Sequence, residues 1–420
     1  MATFSIAPKE RFSSVKTSIK KPTEIAYFSY DAEHVLHPFS ELSLRYYYPP
    51  FFKTPGDSRP EPIDLSKGFD TFRQRNDSPD EHLDGLLDTL VEAERRTGKR
   101  TDADVITWRG MMTKILTAPY EDQDGFEMNA TRAQCRHSIP LSSFRCGVLT
   151  STRFVEENHA QKLQNKEDQR NRWSNQRGPP QGLAEYWGYK FETLCLMSAP
   201  WGDTSREEIE NRENEVVDNY PQYCNITKTG IGSTSLVIGG EVDGVMGYKP
   251  ENPEDPATWI ELKTARPPTG ERDTLIYEKK LLKFWAQSFL LGVPRIIIGF
   301  RNRDGFLVNI EEMMTQRIPD PKGMQKHLPV EHSLPVNLTW AAQHSRPAMV
   351  LFLFICIATI PVTSSHYGSH TSGLLHQNNL LPESRPLNSC FEEHEFSNTD
   401  NRSFRRGIRW NGSGPTLRSR

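Results

Sequence analysis

The six cysteines of this sequence include no C-x-x-C pair, so neither a zinc site nor a disulfide framework is indicated, and a reducing compartment fits their scatter. No charged N-terminal segment leads into an apolar core, so a secretory leader is not expected. A basic excess is missing as well. With a net charge of -3, the chain lacks the profile of a small nucleic-acid-binding domain, and any grip on phosphates has to come from local patches. There is no internal repeat. Apolar residues make up only 36% of the chain and mean hydropathy is -0.64, low enough that part of it should be loop or tail. Long apolar runs are also scarce. The longest, residues 348–362, would span about 22 Å as a helix at ~1.5 Å per residue, short of the roughly 30 Å hydrocarbon core. No membrane span is expected. The 420 residues leave room for one large domain or two ordinary ones.

Residues 1 to 24 are polar, carry five cations and have no usable apolar period, which reads as a flexible basic arm. Structured text begins at Ile25. Ser43 to Tyr48 reads as an aromatic strand stopped by Pro49 and Pro50. From Pro79 onward, Leu83, Leu86, Leu87, Leu90 and Val91 recur at helical spacing behind an acidic first turn. A second helix is expected over 104–116, with Trp108-Arg109-Gly110 inside it. Short strands and turns should fill 119–154, then a strongly polar stretch, beginning as an exposed helix, runs to the break at Pro179-Pro180. Tyr186 to Met197 is helical and aromatic. Three strands follow, over 223–228, 235–245 and 259–264; after them come a long helix over 277–291 and a buried isoleucine-rich strand over 295–301. Beyond Ile318 the periodic text ends.

The chemistry concentrates in Gly239-Gly240-Glu241-Val242-Asp243-Gly244 and Trp259-Ile260-Glu261-Leu262-Lys263-Thr264. Strand alternation puts Glu241 with Asp243 on one face, and Glu261 with Lys263. The stretch between them, with Pro250, Asn252, Pro253 and Pro256, has the composition of a hairpin loop. Two adjacent strands would then gather three carboxylates and one ammonium. Hard oxygen donors in that number suit Mg²⁺ or Mn²⁺, and the lysine suits an attacking water or a phosphate. A surface hairpin with cross-strand ion pairs would give the same charges, but the apolar Val242, Ile260 and Leu262 between them argue for central strands, where such a cluster is costly without a cation. Glu192 lies among aromatics in Tyr186-Trp187-Gly188-Tyr189-Lys190-Phe191-Glu192, where a carboxylate needs a partner. Lys280, Lys283 and Gln287 share the long helix, either lining the same cleft or forming a solvated face. Trp108 beside Arg109 suits a base and a phosphate.

As a set, Trp108-Arg109-Gly110, Gly188 to Glu192, Gly240 to Asp243, Glu261-Leu262-Lys263 and Lys280 to Gln287 resemble the DXO-type decapping nuclease family, in its fungal nuclear branch. Each motif is weak alone; five in this order are specific. The resemblance covers residues 24 to 317. It implies an α+β fold of two β-sheets, one mixed and one antiparallel, flanked by helices, with a metal site like that of restriction-type nucleases. It implies that Glu192, Glu241, Asp243 and Glu261 hold a divalent cation, Mg²⁺ or Mn²⁺, helped by the main-chain carbonyl of Leu262. Lys263 and Gln287 would position water and the scissile phosphate, and Arg109, with Trp108 and Gly110 beside it, a downstream phosphate. Arg45, Glu81 and Cys224 match family positions near the substrate. The implied activity is hydrolysis at RNA 5′ ends: pyrophosphate release from 5′-triphosphate RNA and removal of incompletely methylated or NAD and FAD caps. The implied setting is the nucleus, with the nuclear 5′→3′ exoribonuclease as partner. Two other readings compete, a non-catalytic stabilising subunit of that exoribonuclease and a DNA endonuclease with the same metal site. The domain plan expected is an arm over 1–24, a nuclease domain over 25–318 without its family's closing elements, and an atypical tail over 319–420, disordered or mistranslated.

Overall fold

The computed structural model describes residues 19–50, 61–118, 125–132, 152–175, 178–252 and 255–318, together with the backbone of three strands at 2–5, 393–397 and 407–411. In chain order, β1 (Ala2–Ser5), β2 (Thr23–Tyr30), β3 (Leu36–Pro38), β4 (Tyr46–Tyr47) and β5 (Ile63–Asp64) lead to α1 (Asp84–Thr97). That helix buries Leu86, Leu87 and Leu90, the face its periodicity marks out. Next come β6 (Val105–Trp108) and α2 (Arg109–Thr117). A single helix over 104–116 was expected here, and the structure corrects it. Val105, Ile106 and Thr107 are β-branched and fully buried between two parallel neighbours, so strand pairing overrides the helical pattern and helix begins only at Arg109. The strand expected over 43–48 also shrinks, to Tyr46–Tyr47.

β7 (Glu127–Arg132) and β8 (Arg153–Glu157) precede α3 (His159–Ser174), a helix with no buried residue whose Asn158 side chain accepts from the Gln161 amide. After Pro179-Pro180 the chain forms α4 (Gln181–Cys195), β9 (Leu196–Met197) and α5 (Arg206–Asn211). The remaining elements are β10 (Gln222–Ile231), β11 (Thr234–Glu241), β12 (Gly244–Val245), β13 (Trp259–Ala265), α6 (Glu271–Leu290), β14 (Arg295–Arg301), β15 (Phe306–Met314), β16 (Glu393–Ser397) and β17 (Gly407–Asn411).

Ten strands form one sheet, in the order β1-β17-β16-β7-β8-β6-β11-β10-β2-β3, and seven form the other, in the order β5-β15-β14-β13-β12-β4-β9. Two sheets flanked by helices is the arrangement the sequence led us to expect. One of them was expected to be antiparallel throughout, and neither is. In the seven-stranded sheet β13 runs parallel to β14 because α6 carries the chain back across the sheet between them, and β12 runs parallel to β4. The expected arm and tail each contribute strands to the edge of the larger sheet, β1 from one and β16 and β17 from the other; the apolar run 348–362 lies outside the described residues. Among the described residues no helix is long and apolar enough to cross a membrane.

One apolar cluster joins the sheets to each other: Leu236 and Ile238 from β11 and Ile296 and Ile298 from β14 enclose Met112 and Ile115 of α2 and Leu281 and Trp285 of α6. Side chains of this size contribute roughly 1.5–3 kcal/mol each when fully buried. Two smaller clusters seat α1 on the outer face of the large sheet and α4 on the outer face of the small one. The packing of α4 is tight enough to dictate a glycine. A Cβ at Gly299 would lie 2.6 Å from the ring of Phe191, one residue before Glu192.

The strand expected over 235–245 is divided. It leaves the large sheet after Glu241 and re-forms in the small sheet at Gly244, with Val242 and Asp243 bridging the two. Gly240 marks where the chain passes closest to α2, since a Cβ there would come within 2.9 Å of both the Arg109 Cβ and Leu291. The hairpin partnership with β13 is real but starts at Gly244, which faces Ile260.

Candidate active site

Glu241 ends a strand of one sheet, Asp243 sits in the crossing and Glu261 and Lys263 lie on a strand of the other, so the acidic cluster stands where the two sheets meet. It was expected on two neighbouring strands of one sheet; the crossing at Val242-Asp243 delivers the same side chains from two. Asp243 is locked to β13 by the Leu262 amide, which donates to its Oδ2 at 2.6 Å. Lys263 Nζ is 4.0 Å from the same oxygen and 2.7 Å from Glu261 Oε1. Arg109, at the first position of α2, donates from one guanidinium nitrogen to Glu261 Oε2 at 3.0 Å. Glu261 is fully buried behind Lys263 and is thereby held by two cations. The Lys263 ammonium is thus the partner of Oε1 and the Arg109 guanidinium that of Oε2. Glu241 is steadied by Gln222, whose side-chain amide donates to Oε2 at 3.0 Å.

Electrostatics divide the four acids. Burial raises Glu192 well above the carboxylate range and Asp243 adds to the rise; burial and Asp243 together push Glu241 up to about 7, and burial and Glu261 push Asp243 up to about 6. Glu261 goes the other way. Burial raises it, but Arg109 and Lys263 outweigh burial and hold it below its usual value. Both cations are raised in turn, their acids overcoming the cost of burial. As arranged, no three His, Cys, Asp or Glu side chains among the described residues stand close enough to hold an ion. The donor set nevertheless fits a hard divalent cation: Glu192, Glu241 and Asp243 are carboxylates raised by burial and by neighbouring acids, hard oxygen donors whose charged forms a cation would stabilise.

A cleft of about 720 Å³ opens over this cluster. Of the residues singled out in the sequence, Arg45, Arg109, Glu192, Glu241, Asp243 and Lys263 line it. Arg45 is fixed through its own carbonyl, which accepts from the Val245 amide at 2.9 Å. Glu261 and Leu262 lie directly behind the floor. Outside the lining are Trp108, whose indole donates to the His82 carbonyl at 3.2 Å, the exposed Gly110, and the half-buried Gln287 of α6. Cys224 is buried opposite Glu241 in the β10–β11 register, its thiol raised well above the usual range by burial and then by Glu241. Glu81 pairs with Arg75, and it is Arg75 that faces the cleft.

The walls were not legible in the sequence. Lys166 and Arg170 from α3, Tyr189 from α4, Arg75, and Gln222 from β10 all line the cleft. Tyr189 could have been found, since it precedes Glu192 by three residues and so shares its helix face. The wall of α3 gave one indirect sign, a helix polar on every side, which implies work other than core packing.

An aspartate clamped to the strand that carries Glu-x-Lys, on the floor of a cleft whose walls carry cations and acids in equal number, defines a nuclease site of the restriction-enzyme type. Comparison with known proteins narrows the class: residues 20–343 match the family described as RAI1 like PD-(D/E)XK nuclease, and the chain belongs to that family. A protein of Aspergillus fumigatus named decapping nuclease RAI1 is 52% identical over 322 residues, covering 76% of this chain and 79% of its own. Its counterpart in Emericella nidulans is 49% identical over the same shares. Among solved structures, Candida albicans Rai1 in complex with pU5-Mn²⁺ superposes with a TM-score of 0.72 at 25% identity, over 98% of this chain and 94% of that one.

Proposed function

We infer that this chain is a divalent-metal-dependent hydrolase of RNA 5′ ends, a decapping nuclease. The observation that carries the reading is the convergence of Asp243, from the crossing between the sheets, with Glu261 and Lys263 of β13 at the cleft floor, with Arg109 bound to the same glutamate. Membership of a family whose relatives are named decapping nucleases, and likeness to a protein solved with pU5-Mn²⁺, support the ligand class.

Glu192, Glu241, Asp243 and Glu261 would hold the cation, which when bound supplies neutralisation of phosphate charge and an activated water. The chain's own part is positioning. Lys263, kept charged by Glu261 and Asp243, offers an ammonium to the phosphate under attack. Arg109 gives one nitrogen to Glu261 and has further donors for a neighbouring phosphate. Arg45 and Arg170 on the walls offer guanidinium groups to the backbone, while Arg75 and Lys166 are paired with Glu81 and Asp77 and the walls as a whole are mixed in charge. Substrates would be 5′-triphosphate RNA, releasing pyrophosphate, and RNA with incompletely methylated or NAD or FAD caps. The motif resemblance adds the nucleus as the place of action and a nuclear 5′→3′ exoribonuclease as partner.

Incubation with 5′-triphosphorylated RNA and Mn²⁺ tests the activity. Pyrophosphate release by the wild type and background release by Asp243→Ala are expected. No release by the wild type, or equal release by both, refutes hydrolysis at this site. Co-purification with the nuclear exoribonuclease tests the partnership, and failure of the two proteins to co-elute when mixed would remove it.

A further inference from the structure

β13, α6 and β14 form a unit in which two parallel strands flank a crossover helix, and folds of this kind leave a ligand crevice beyond the carboxyl ends of such strands. The crevice is present. A pocket of about 260 Å³, lined by Arg266, Thr269, Tyr277, Lys280, Arg301 and Arg303 among others, lies where β13 and β14 end and α6 begins. It shares no lining residue with the catalytic cleft.

Four of its side chains are cations, and Asp273 is its one carboxylate, engaged through Oδ2 by the Thr269 hydroxyl at 2.7 Å. Among the described residues, Arg266, Lys280 and Arg303 form no ion pair. Arg301 is held in place by stacking on Trp187, its guanidinium carbon 4.3 Å from the ring centroid, and by a hydrogen bond to the Asn302 carbonyl at 3.3 Å, while its Nε is buried without an acceptor. Tyr277 is 5% exposed, and its hydroxyl has no partner either. The crowding shows in the titration of the group: burial and Arg266 lower Arg301 to about 10, and burial, Arg301 and Arg266 lower Lys280.

Buried donors without acceptors are rare in folded proteins, and here they stand beside four cations that share a single counter-charge, Asp273, whose carboxyl the Thr269 hydroxyl, helped by Arg266 and Arg303, holds below its usual value. An anion satisfies both at once. We propose that this pocket is a phosphate-binding site, built from Arg266, Arg301, Arg303 and Lys280 with the Tyr277 hydroxyl as a neutral donor. Phosphate is favoured over a carboxylate because three guanidinium forks and an ammonium offer more donors than two carboxylate oxygens can accept, and a tetrahedral oxyanion can engage donors from several directions. Glu271 and Asp273 in the first turn of α6 offset the positive end of its dipole, so the side chains carry the binding. The phosphate is either a backbone group of RNA or a free anion. Arg266 follows Lys263 by three positions, about 10 Å of extended chain, within reach of an RNA strand that leaves the cleft. That source rests on the hydrolase reading; the anion site does not.

Calorimetric titration of the full-length protein with inorganic phosphate, and separately with a 5′-phosphorylated oligouridine, tests the site in four forms: wild type, Arg266→Gln/Arg303→Gln, Tyr277→Phe and the cleft variant Asp243→Asn. We expect phosphate affinity to survive Asp243→Asn, to weaken severalfold in Tyr277→Phe and to weaken at least tenfold in the double variant, whose exposed arginines are dispensable for folding. Pyrophosphate release from a short 5′-triphosphate substrate should be unchanged in that double variant. Parallel weakening of the oligouridine assigns the site to RNA backbone; weakening of inorganic phosphate alone assigns it to a free anion. Equal phosphate affinity in the wild type and the double variant, or its loss in Asp243→Asn, overturns the proposal. A wild type that binds phosphate here yet releases no pyrophosphate would leave the pocket standing and refute only the hydrolase.

Discussion

Stability of the metal-free protein should fall as pH rises from 5 to 7.5, against the usual expectation that neutral pH favours a folded acid-rich chain. Glu241 titrates near 7 in the fold against 4.5 for a free side chain, so between those values the folded state holds a proton that the unfolded chain has already lost. Unfolding stability therefore decreases with pH through that window. At about 1.4 kcal/mol per pH unit the loss from Glu241 is roughly 3 kcal/mol, and solvent reaching it through the open cleft trims this to about 2 kcal/mol. Asp243, raised to about 6, adds loss of the same sign over the lower part of the window, and Glu192, also raised by burial and by Asp243, adds to it with the same sign. Glu261 has the opposite sign, but its lowered value places its change below pH 4.5, outside the range tested.

Thermal and urea unfolding in excess chelator, at half-unit steps of pH, measures the slope. A loss of about 2 kcal/mol corresponds to a fall in Tm on the order of 5 °C. The Glu241→Gln variant keeps the size of the side chain and removes its charge, so its stability should decline less with pH and exceed that of the wild type at pH 7.5. Adding Mn²⁺ should restore the wild type far more at pH 7.5 than at 5.5, because at the lower pH protons occupy the oxygens that would bind it. Stability that is flat or rising over this window in chelator, or a Glu241→Gln slope identical to the wild type, would show that the acids are not buried together as the geometry requires.

Two further substitutions test how the site is held. Arg109→Ala leaves Glu261 fully buried with Lys263 as its remaining cation; a cost of about 3 kcal/mol in urea unfolding is expected, with Arg109→Met/Glu261→Gln recovering most of it, and a cost under 1 kcal/mol would mean the pair is not buried as described. Gly299→Ala drives a methyl group against the Phe191 ring, costing about 1–3 kcal/mol and shifting the turn of α4 that carries Glu192, so the affinity for Mn²⁺ should drop along with the melting temperature; unchanged metal affinity would separate α4 packing from the site.

What the sequence made legible was local. Helix α1 follows from its leucine spacing, β14 from its isoleucines, and Glu261 and Lys263 from alternation on a strand whose other positions are apolar. Long-range pairing was not. Val105 to Trp108 carries a pattern compatible with helix, and only the parallel neighbours β8 and β11 make it a strand, which moves Arg109 from mid-helix to a helix start facing Glu261. The cleft walls were hidden for a related reason. Polar residues such as Arg75, Lys166 and Arg170 have no periodic signature, and their convergence depends on how the loop before α1 and helix α3 pack around the cleft.

The acid and lysine cluster depends on the crossing at Val242-Asp243 more than on either strand. Had β11 continued straight to Val245, Glu241 and Asp243 would share one face of the large sheet, and neither would reach the strand bearing Glu261. The crossing instead lets Asp243 accept from the Leu262 amide, which fixes the distance between the two sheets at the place where charge must be gathered. Gly240 and Gly244 make the crossing possible by admitting α2 on one side and the carbonyl of Arg45 on the other, each too close for a side chain. The two glycines that frame Glu241-Val242-Asp243 thus bring Arg109 and Arg45 to the cleft by the same close approaches that let the chain change sheets.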